Sequence, residues 1–348
     1  MKRRQVLPWC IALTGSLLVA VGCGPSPDST STLDAEPSTT AIDRGDPIVI
    51  GYSSWAGWWP WAIAEEKGLF EANGANVELK WFDGYLESMN AFAAGELDGN
   101  SQTLNDTISF AADAVNGAVV VLVNDNSNGN DKIIVSEEIN TIADLKGKTV
   151  AIEEGVVDDF LLNLALTRNG MSRDDVEIKN METGAAAAAF ASGQADAVGA
   201  FPPFWQTALQ REGSKELVSS AEFSGAIPDL LVMSQTVIDE QPEQVQSIVN
   251  TWFDILAFME ENPNEADAIM AKRAGVIVAD FQAFKDGTRM FTIDDNLEAF
   301  SDGESMKHMP YAAEIMEEFM IRVGFIPEGP DLTKIFDDRF VKEYAESQ

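Results

Sequence analysis

The sequence predicts an α/β protein made of two similar lobes, with a ligand cleft between the lobes. Three observations support this prediction: the length of the chain, a repeated order of strands and helices, and a helical C-terminal part. The chain has 348 residues, which suits two α/β domains, because one domain usually contains about 100–200 residues. Hydrophobic residues make up 45% of the chain, as in ordinary water-soluble globular proteins.

The most informative of these observations is an internal repeat. The first copy begins with the apolar run 48–51 and ends at residues 92–98, Phe-Ala-Ala-Gly-Glu-Leu-Asp. The second begins at residues 149–152 and ends at residues 190–196, Phe-Ala-Ser-Gly-Gln-Ala-Asp. Each copy predicts a strand, a helix ended by Asn-Gly, a strand, a helix ended by Gly, and a further strand, because Gly favours helix ends. This alternation is typical of parallel sheets.

The rest of the chain completes the domain plan. Residues 226–233 predict a strand that returns to the first lobe, and the chain is mostly helical from about residue 241. We therefore expect lobe 1 at residues 46–132 and 225–348, and lobe 2 at residues 133–224. Ligands bind beyond the carboxyl ends of strands in such sheets, so the strand-end loops of both lobes should face one cleft.

The N-terminal segment has the pattern of a secretion signal. Basic residues at positions 2–4 precede an apolar run, and small residues then precede Cys23. Because this pattern resembles a bacterial lipobox, we expect a signal peptide at residues 1–22 and a lipid on Cys23; a plain signal peptide is the alternative. Residues 23–45 are rich in Ser, Thr and Pro and predict a disordered tether. The expected location is the extracytoplasmic (periplasmic) face of a membrane, to which only the lipid holds the protein.

Charge and composition exclude several classes of function. The 57 acidic and 23 basic residues give a net charge of −34, which excludes a nucleic-acid binder, because such proteins need a basic face. The only histidine is His308, and Cys10 and Cys23 precede the predicted lobes, so we expect no cysteine nucleophile and no His/Cys metal site. If Gly129 is placed at the sixth position of a calcium-binding loop, Val135 occupies the twelfth position, where such a loop needs Glu. The polar run 124–131 therefore does not match a calcium loop. We expect neither a metal nor a cofactor.

The predicted strand-end loops combine aromatic and acidic side chains and contain no Arg. Anions usually meet cationic or N–H donors, whereas carboxylates and aromatic faces suit a small cation or a neutral hydrogen-bond donor. Four tryptophans lie close together in the sequence, at positions 55, 58, 59 and 61. Of these we expect Trp55 or Trp61 in the core and Trp58 or Trp59 in the cleft. The candidate ligand-binding residues are Trp58, Trp59, Asp106, Asp125, Glu153, Glu154, Trp205 and Asp229.

The acidic candidates also have purely structural interpretations. Asp106 could be the N-cap of a helix, and Asp125 could form a turn. Glu153 and Glu154 could be acids in a first helical turn, where the helix dipole favours them. Asp229 precedes an apolar strand, where a buried carboxylate needs a partner of some kind.

Four motifs carry a resemblance to a known family. Residues 51–55 (Gly-Tyr-Ser-Ser-Trp), 64–70 (Ala-Glu-Glu-Lys-Gly-Leu-Phe), 92–98 and 144–148 (Asp-Leu-Lys-Gly-Lys) resemble the nitrate/taurine/sulfonate class of periplasmic solute-binding proteins. The resemblance implies a two-lobed fold of the type II periplasmic binding proteins, which closes on its ligand like a hinge. It also implies a monomer that delivers this ligand to the permease and ATPase subunits of an ABC importer.

A narrower resemblance concerns the ligand. Residues 58–59, 81–83, 124–131 and 227–233 are similar to the branch encoded beside urea-carboxylase-type enzymes, which has been linked to urea and guanidine. A guanidinium ion fits the loops above, because it offers a donor fork to a carboxylate and a flat face to an indole. Urea, and nitrate, taurine or a sulfonate as in the wider family, remain alternatives. A ligand sensor and an enzyme of the thiamine-pyrimidine-synthase type are further alternatives. That enzyme carries His and clustered Cys, whereas these lobes contain no Cys and a single His, His308, far from any predicted strand end.

Overall fold

The computed structural model describes residues 45–348. The predicted signal peptide, the lipid anchor at Cys23 and nearly all of the predicted tether lie outside the described residues. The strands are β1 Ile48–Tyr52, β2 Val77–Trp81, β3 Gly99–Thr103, β4 Val119–Ser127, β5 Lys132–Val135, β6 Thr149–Ile152, β7 Glu177–Asn180, β8 Ala197–Ala200, β9 Lys215–Ser219, β10 Pro228–Met233 and β11 Thr288–Met290. The helices are α1 Trp61–Lys67, α2 Leu69–Ala72, α3 Tyr85–Ala93, α4 Leu104–Phe110, α5 Val157–Arg168, α6 Thr183–Ala191, α7 Phe204–Ala208, α8 Gln235–Glu240, α9 Pro242–Glu261, α10 Pro263–Ala274, α11 Val278–Lys285, α12 Ile293–Phe300, α13 Met309–Val323 and α14 Arg339–Ser347.

The strands form two separate sheets, which define the two lobes. Lobe 1 contains a six-stranded sheet in the order β11-β4-β10-β3-β1-β2, and lobe 2 a five-stranded sheet in the order β7-β6-β8-β5-β9. In each sheet the three strands of one repeat are parallel, and a strand from outside that repeat joins them in the antiparallel direction. The α/β architecture with two lobes is confirmed. Residues 226–233 were expected to return to lobe 1, and β10 does so; the residue-level lobe boundaries stay a prediction.

The aspartate that ends each repeat has the same structural role in both lobes. Asp98 Oδ2 accepts a hydrogen bond from the backbone N–H of Val49 at 2.9 Å, and Asp196 Oδ2 accepts one from Thr149 at 3.0 Å. Each aspartate therefore ties the loop before the third strand of its repeat to the beginning of the first strand. This shared contact explains why both copies of the Phe-Ala-x-Gly motif end in Asp.

The Asn-Gly pairs end helices, as the sequence predicts. Asn73 follows α2 and Asn169 follows α5, and each side chain donates a hydrogen bond to the carbonyl four residues earlier, at 3.0 Å and 2.8 Å. The following Gly74 and Gly170 have φ of 78° and 71°, a left-handed conformation that costs Gly least.

The C-terminal helices pack on lobe 1. Trp252 of α9 lies against Trp61 of α1, with ring centroids 4.7 Å apart, and α13 contacts α4. Trp61 is fully buried and donates a hydrogen bond to Ser101 of β3. Within residues 45–348, none of the helices combines the length and the apolar composition that a membrane span requires.

Two chain segments cross between the lobes. Residues 128–131 connect β4 to β5, and residues 220–227 connect β9 to β10. The crossings contact each other, because the hydroxyl groups of Ser127 and Ser220 are 2.7 Å apart and the N–H of Ser220 donates to the Asp131 carbonyl at 2.9 Å. We call these two segments the hinge crossings.

Candidate ligand-binding site

A small buried cavity of about 10 Å³ lies between the lobes. Both lobes and one hinge crossing contribute to its wall, and each lining residue is at most 5% exposed. The lining residues are Ser54, Trp55, Trp58, Tyr85, Thr103, Asp131, Val157, Phe201 and Asp229. Most of them follow or precede a strand end, where α/β sheets bind ligands. We call this space the inner cavity.

Lobe 2 covers the inner cavity from one side. The Ser54 hydroxyl of lobe 1 donates a hydrogen bond to the Pro202 carbonyl of lobe 2 at 3.3 Å. Beside this bond, the rings of Trp55 and Phe201 meet edge to face with their centroids 6.4 Å apart. The two lobes are thus in contact around the cavity, and its wall depends on both.

The loop after β1 supplies the aromatic wall. The backbone N–H of Trp58 bonds to the Trp55 carbonyl at 3.1 Å, and this turn places the two indoles 6.3 Å apart. The Trp58 ring also lies 5.5 Å from the Tyr85 ring. Gly57 is required in this turn, because a Cβ atom there would lie 1.7 Å from Asp125 Oδ2. The loop after β1 therefore lies directly against a carboxylate of β4, three strands away in the sheet.

Asp106 lies in the first turn of α4, with its carboxylate turned towards the cavity wall. It accepts hydrogen bonds from the hydroxyls of Tyr85 and Thr103, both at 2.8 Å, and from the Asn105 amide at 2.7 Å. The alternative role of Asp106 as N-cap is wrong: the N-cap is Thr103, whose hydroxyl accepts from the Asp106 N–H. Burial raises the pKa of Asp106 to about 7, although its hydroxyl partners lower it.

Asp125 and Asp229 form a pair across neighbouring strands. They are directly opposed in the register of β4 and β10, and their carboxyl groups lie within hydrogen-bonding range of each other. Trp55 Nε1 donates to Asp125 Oδ1 at 3.0 Å, while Oδ2 of each aspartate receives no hydrogen bond from a described donor. Burial raises the pKa of Asp125 to about 7; burial and the Asp125 charge hold the pKa of Asp229 well above its usual range.

Asp131 places a carboxylate of the hinge crossing in the cavity wall. Its side chain is 1% exposed, and Oδ2 has no hydrogen-bond partner among residues 45–348. Burial raises the pKa of Asp131 to about 6, while the Ser127 hydroxyl and the charge of Lys132 lower it. The Lys132 ammonium group itself forms an ion pair with Glu216.

Lobe 2 adds two further carboxylates. The Thr183 hydroxyl lies 3.0 Å from Asp158 Oδ2 and 3.2 Å from Glu153 Oε2, so one hydroxyl serves two acids. Glu153 also accepts the Leu86 N–H of lobe 1 at 3.3 Å. Burial raises the pKa of Glu153 to about 7, and burial with the charge of Asp131 keeps the pKa of Asp158 well above its usual range. Asp158 Oδ1 has no described partner.

The site is a concentration of buried acids without a matching cation. None of the ion pairs formed by residues 45–348 includes any of the six carboxyl groups. In the same part of the chain, no group of three or more His, Cys, Asp or Glu residues is arranged to hold a metal ion. Burying a carboxylate without a partner is costly, so a ligand with positive charge and several N–H donors would be favoured here. The six groups are Asp106, Asp125, Asp131, Glu153, Asp158 and Asp229.

The structure brings together most of the residues that the sequence suggested. Trp58 and Asp229 line the inner cavity, and Asp106 and Asp125 accept hydrogen bonds from residues of its wall. Glu153 is buried and shares the Thr183 hydroxyl with Asp158, but it does not line this cavity. Trp205 stands behind the wall: its ring meets Phe284 edge to face at 5.3 Å, and Lys132 lies over it.

Two candidates lie elsewhere. Trp59 is fully buried against Phe281 and Phe284, with centroid distances of 5.8 and 5.7 Å. Glu154 is solvent-exposed and forms an ion pair with Arg173 at 2.6 Å. Neither side chain lines the inner cavity, although Trp58, the residue before Trp59, does.

The candidate set did not include two carboxylates that the structure places at the site. Asp131 ends the polar run 124–131, and Asp158 follows Glu153 by five residues. Both belong to predicted strand-end loops, so their position was the available signal. The sequence does not indicate in which direction these two side chains point.

Comparison with known proteins identifies the family. Residues 45–275 match the NMT1-like family. The chain is 29% identical over 271 residues to a protein of Brucella abortus (strain 2308) named only as a binding protein, covering 76% of this chain and 83% of the relative. It is 24% identical over 244 residues to the taurine-binding periplasmic protein of Escherichia coli (strain K12), covering 67% and 75%.

Solved structures share the fold at low sequence identity. The periplasmic aliphatic sulphonate binding protein of Escherichia coli gives a TM-score of 0.68 at 20% identity, covering 84% of this chain and 93% of that chain. The desulfurization enzyme DszB gives a TM-score of 0.60 at 15% identity, covering 86% and 99%. The same fold therefore serves both binding proteins and an enzyme. Taken with the match over residues 45–275, these similarities establish that the chain belongs to the NMT1-like family and has the two-lobed fold of periplasmic binding proteins.

Proposed function

We propose that this chain is the extracytoplasmic solute-binding protein of an ABC importer and that its ligand is a small guanidinium-type cation. One observation carries the choice of ligand: Asp131, Asp158 and Asp229 each keep a buried carboxylate oxygen without a partner among the described residues. The relatives named as binding proteins support the binding role. The proposal includes membership in the branch encoded beside urea-carboxylase-type enzymes, and a lipid anchor at Cys23.

The lining of the inner cavity suits the planar shape and the charge of guanidinium, and the space of about 10 Å³ has to widen by a shift of the lobes to admit four heavy atoms. The ion is planar, so one face can stack on the Trp58 indole while its N–H groups point to carboxylates at the rim. A ligand of four heavy atoms gains at most roughly 6 kcal/mol from ordinary contacts at about 1.5 kcal/mol per atom, whereas micromolar affinity needs about 8 kcal/mol. A buried ion pair is one way to supply the difference.

Anions of the kind named for the relatives fit the inner cavity less well. A sulfonate or taurine would face the buried carboxyl groups of Asp131 and Asp229 in the wall, and Lys132, the residue after Asp131, is already paired with Glu216. Urea is the second candidate, because Trp58 Nε1 is a buried donor without a described partner. That N–H could donate to the urea carbonyl oxygen, for which guanidinium has no counterpart.

The proposed mechanism is closure of the lobes around the ligand. Lobe 1 provides the aromatic wall and Asp229, and the hinge crossing provides Asp131. Lobe 2 provides Val157 and Phe201, with the buried Asp158 directly after Val157 in the chain. Only the closed arrangement lets one ligand meet all of them, so binding shifts the population of lobe arrangements towards it. The importer permease and ATPase subunits would then recognise the closed form.

Isothermal titration calorimetry tests the proposal. Residues 23–348 with Cys23→Ser would be titrated with guanidinium chloride, urea, sodium nitrate and taurine. We expect micromolar or tighter binding of guanidinium, lost in Asp131→Asn and kept in the exposed control Glu154→Gln. Tighter binding of urea would select the second candidate. Binding of nitrate or taurine without guanidinium would refute the choice of a cation and leave the solute-binding role intact.

A further inference from the structure

We propose that ligand binding by this protein is an exchange of a cation for a proton, in which the Asp125–Asp229 carboxyl pair gives up one proton to solvent. The inference rests on the proposed function, since it requires a cationic ligand. Before binding, the pair would hold one proton and one negative charge. After binding, both carboxylates would be ionised, with the ligand's charge beside them.

The geometry of the pair requires a shared proton. Asp125 and Asp229 are opposed on β4 and β10, and the Cβ atoms of such cross-strand neighbours are about 4.5–5.5 Å apart. Both side chains are at most 1% exposed. Two buried carboxylates at this distance cannot both be ionised without a nearby positive charge. One carboxyl group of the pair must therefore be neutral until such a charge arrives.

The hydrogen bonds assign the proton to Asp229. Trp55 Nε1 donates to Asp125 Oδ1 at 3.0 Å, and a donor of this kind stabilises the ionised form of its acceptor. Among residues 45–348 no N–H group donates to the Asp229 carboxyl, which lines the cavity and has a buried Oδ2 without a described partner. Asp229 is thus both the protonated member of the pair and the one that lines the cavity.

The surrounding charges add to the need for this proton. The groups around the pair are almost all acidic, and the two nearest basic groups are engaged elsewhere, Lys132 with Glu216 and Arg289 of the adjacent β11 with Asp295. A ligand cation would therefore be the first positive charge placed beside Asp229. The acidic groups are Asp131 on the hinge crossing, Asp106 on α4, and Glu153 and Asp158 of lobe 2; Tyr85 on α3 is the remaining titratable group.

The exchange is balanced in charge and atoms. The O–H bond of the Asp229 carboxyl breaks, its electron pair stays on the carboxylate oxygen, and the proton passes to the buffer. The cation takes the place of the proton as the group that neutralises the pair. Guanidinium stays positively charged at pH 7 and below, as the arginine side chain does. Affinity should therefore fall about tenfold for each pH unit below the pKa of the pair.

Calorimetry of the same chain at pH 7, in phosphate and in Tris, measures the protons released. The two buffers differ in ionisation enthalpy, so a difference in apparent binding enthalpy counts protons. We expect about one proton released per guanidinium bound, unchanged in Glu154→Gln and near zero in Asp229→Asn. If guanidinium binds with the same apparent enthalpy in both buffers, the proton exchange is refuted and the proposed function is not affected. Absence of any guanidinium binding would instead overturn the proposed function.

An infrared difference spectrum covers the case in which Asp229→Asn binds too weakly for calorimetry. In the unsubstituted chain, guanidinium should remove a protonated-carboxyl band, and this band should be missing from the spectrum of ligand-free Asp229→Asn. Persistence of the band in that variant would assign the proton to another group and refute the role of the pair.

Discussion

The two repeats of the chain build the same scaffold but carry different chemistry at equivalent strand ends. After β1 of lobe 1 the chain enters the aromatic loop of Trp55 and Trp58, whereas after β6 of lobe 2 it enters the acidic segment of Glu153 and Asp158. The shared features, such as the bonds of Asp98 and Asp196, lie at the opposite ends of the strands. The repeat therefore maintains the fold, and the divergence between its copies makes the site.

The difference also shows why one lobe is insufficient. Lobe 1 offers flat aromatic faces and Asp229, while lobe 2 offers Asp158, a carboxylate with an oxygen that has no described partner. A ligand bound to a single lobe would leave the other's groups unsatisfied. The experiments below separate the part of each lobe that binds from the part that only folds.

Of the variants that compare the two lobes, the largest loss of affinity should come from the acidic segment of lobe 2. Asp158→Asn removes a buried charge from the site, and loss of one member of a buried charge pair costs about 2–5 kcal/mol. We expect guanidinium affinity to fall by roughly 30-fold or more. Glu154→Gln, in the same segment but exposed to solvent, should leave affinity unchanged. Equal affinities for the two variants by calorimetry would remove lobe 2 from the site.

Substitutions of the adjacent Trp58 and Trp59 should have separate effects, the first on ligand affinity and the second on stability. Trp58→Phe reduces the aromatic face at the cavity, so we expect about a tenfold loss of affinity, because Trp is the best cation–π partner. Trp59→Phe leaves a gap beside Phe281 and should lower the free energy of unfolding by about 1–3 kcal/mol with affinity unchanged. Calorimetry and urea denaturation measure the two quantities. If Trp59→Phe loses affinity and Trp58→Phe does not, Trp59 rather than Trp58 contacts the ligand.

Stability should fall as the pH rises. Burial raises the pKa of Asp106 from 3.8 to about 7, so the folded state keeps a proton that the unfolded state loses. The contribution to stability is complete below the unfolded pKa near 4 and is lost as the pH rises to about 7. We expect the Tm of the ligand-free protein to be higher at pH 5.5 than at pH 8, by roughly 5 °C.

The net charge of −34 acts in the same direction, so the control is the variant Asp106→Asn. Its neutral side chain has nothing to titrate, and its Tm should change less over the same interval. Differential scanning fluorimetry is sufficient for this comparison. A higher Tm at pH 8 than at pH 5.5 would contradict the expectation.

The smallest effects on ligand affinity should come from the repeated aspartates, and they should be equal in the two lobes. Asp98→Ala and Asp196→Ala each remove one hydrogen bond that a backbone N–H donates to a charged carboxylate. A bond of this kind contributes about 1.5–3 kcal/mol to stability. Both variants should lose stability by similar amounts and keep full affinity for guanidinium. A change in affinity for either one would show that the repeated scaffold is not separate from the site.

The sequence predicted the scaffold well because its signals are periodic and local. The Asn-Gly helix ends and the repeated aspartates mark positions that recur in both copies, and the structure confirms the element order that they predict. The approximate place of the site followed from the rule that ligands bind beyond strand ends.

The individual site residues were harder to predict. Trp58 lines the cavity and Trp59 does not, and Glu153 is buried beside Thr183 whereas Glu154 is exposed and paired with Arg173. Neighbouring side chains in a loop can point in opposite directions, and this direction depends on the turn and on contacts with distant strands. For Trp58 the deciding contact is the close approach of Gly57 to Asp125, 68 residues further along the chain.

The burial of the whole cavity wall has a kinetic consequence. Because no lining residue is more than 5% exposed, a bound solute can leave only after the lobes have separated about the hinge crossings. The dissociation rate constant is then set by how often this separation occurs, and the residence time should be similar for solutes that stabilise the closed arrangement equally. A transporter that forces the lobes apart would shorten that residence time without competing for a single contact inside the cavity.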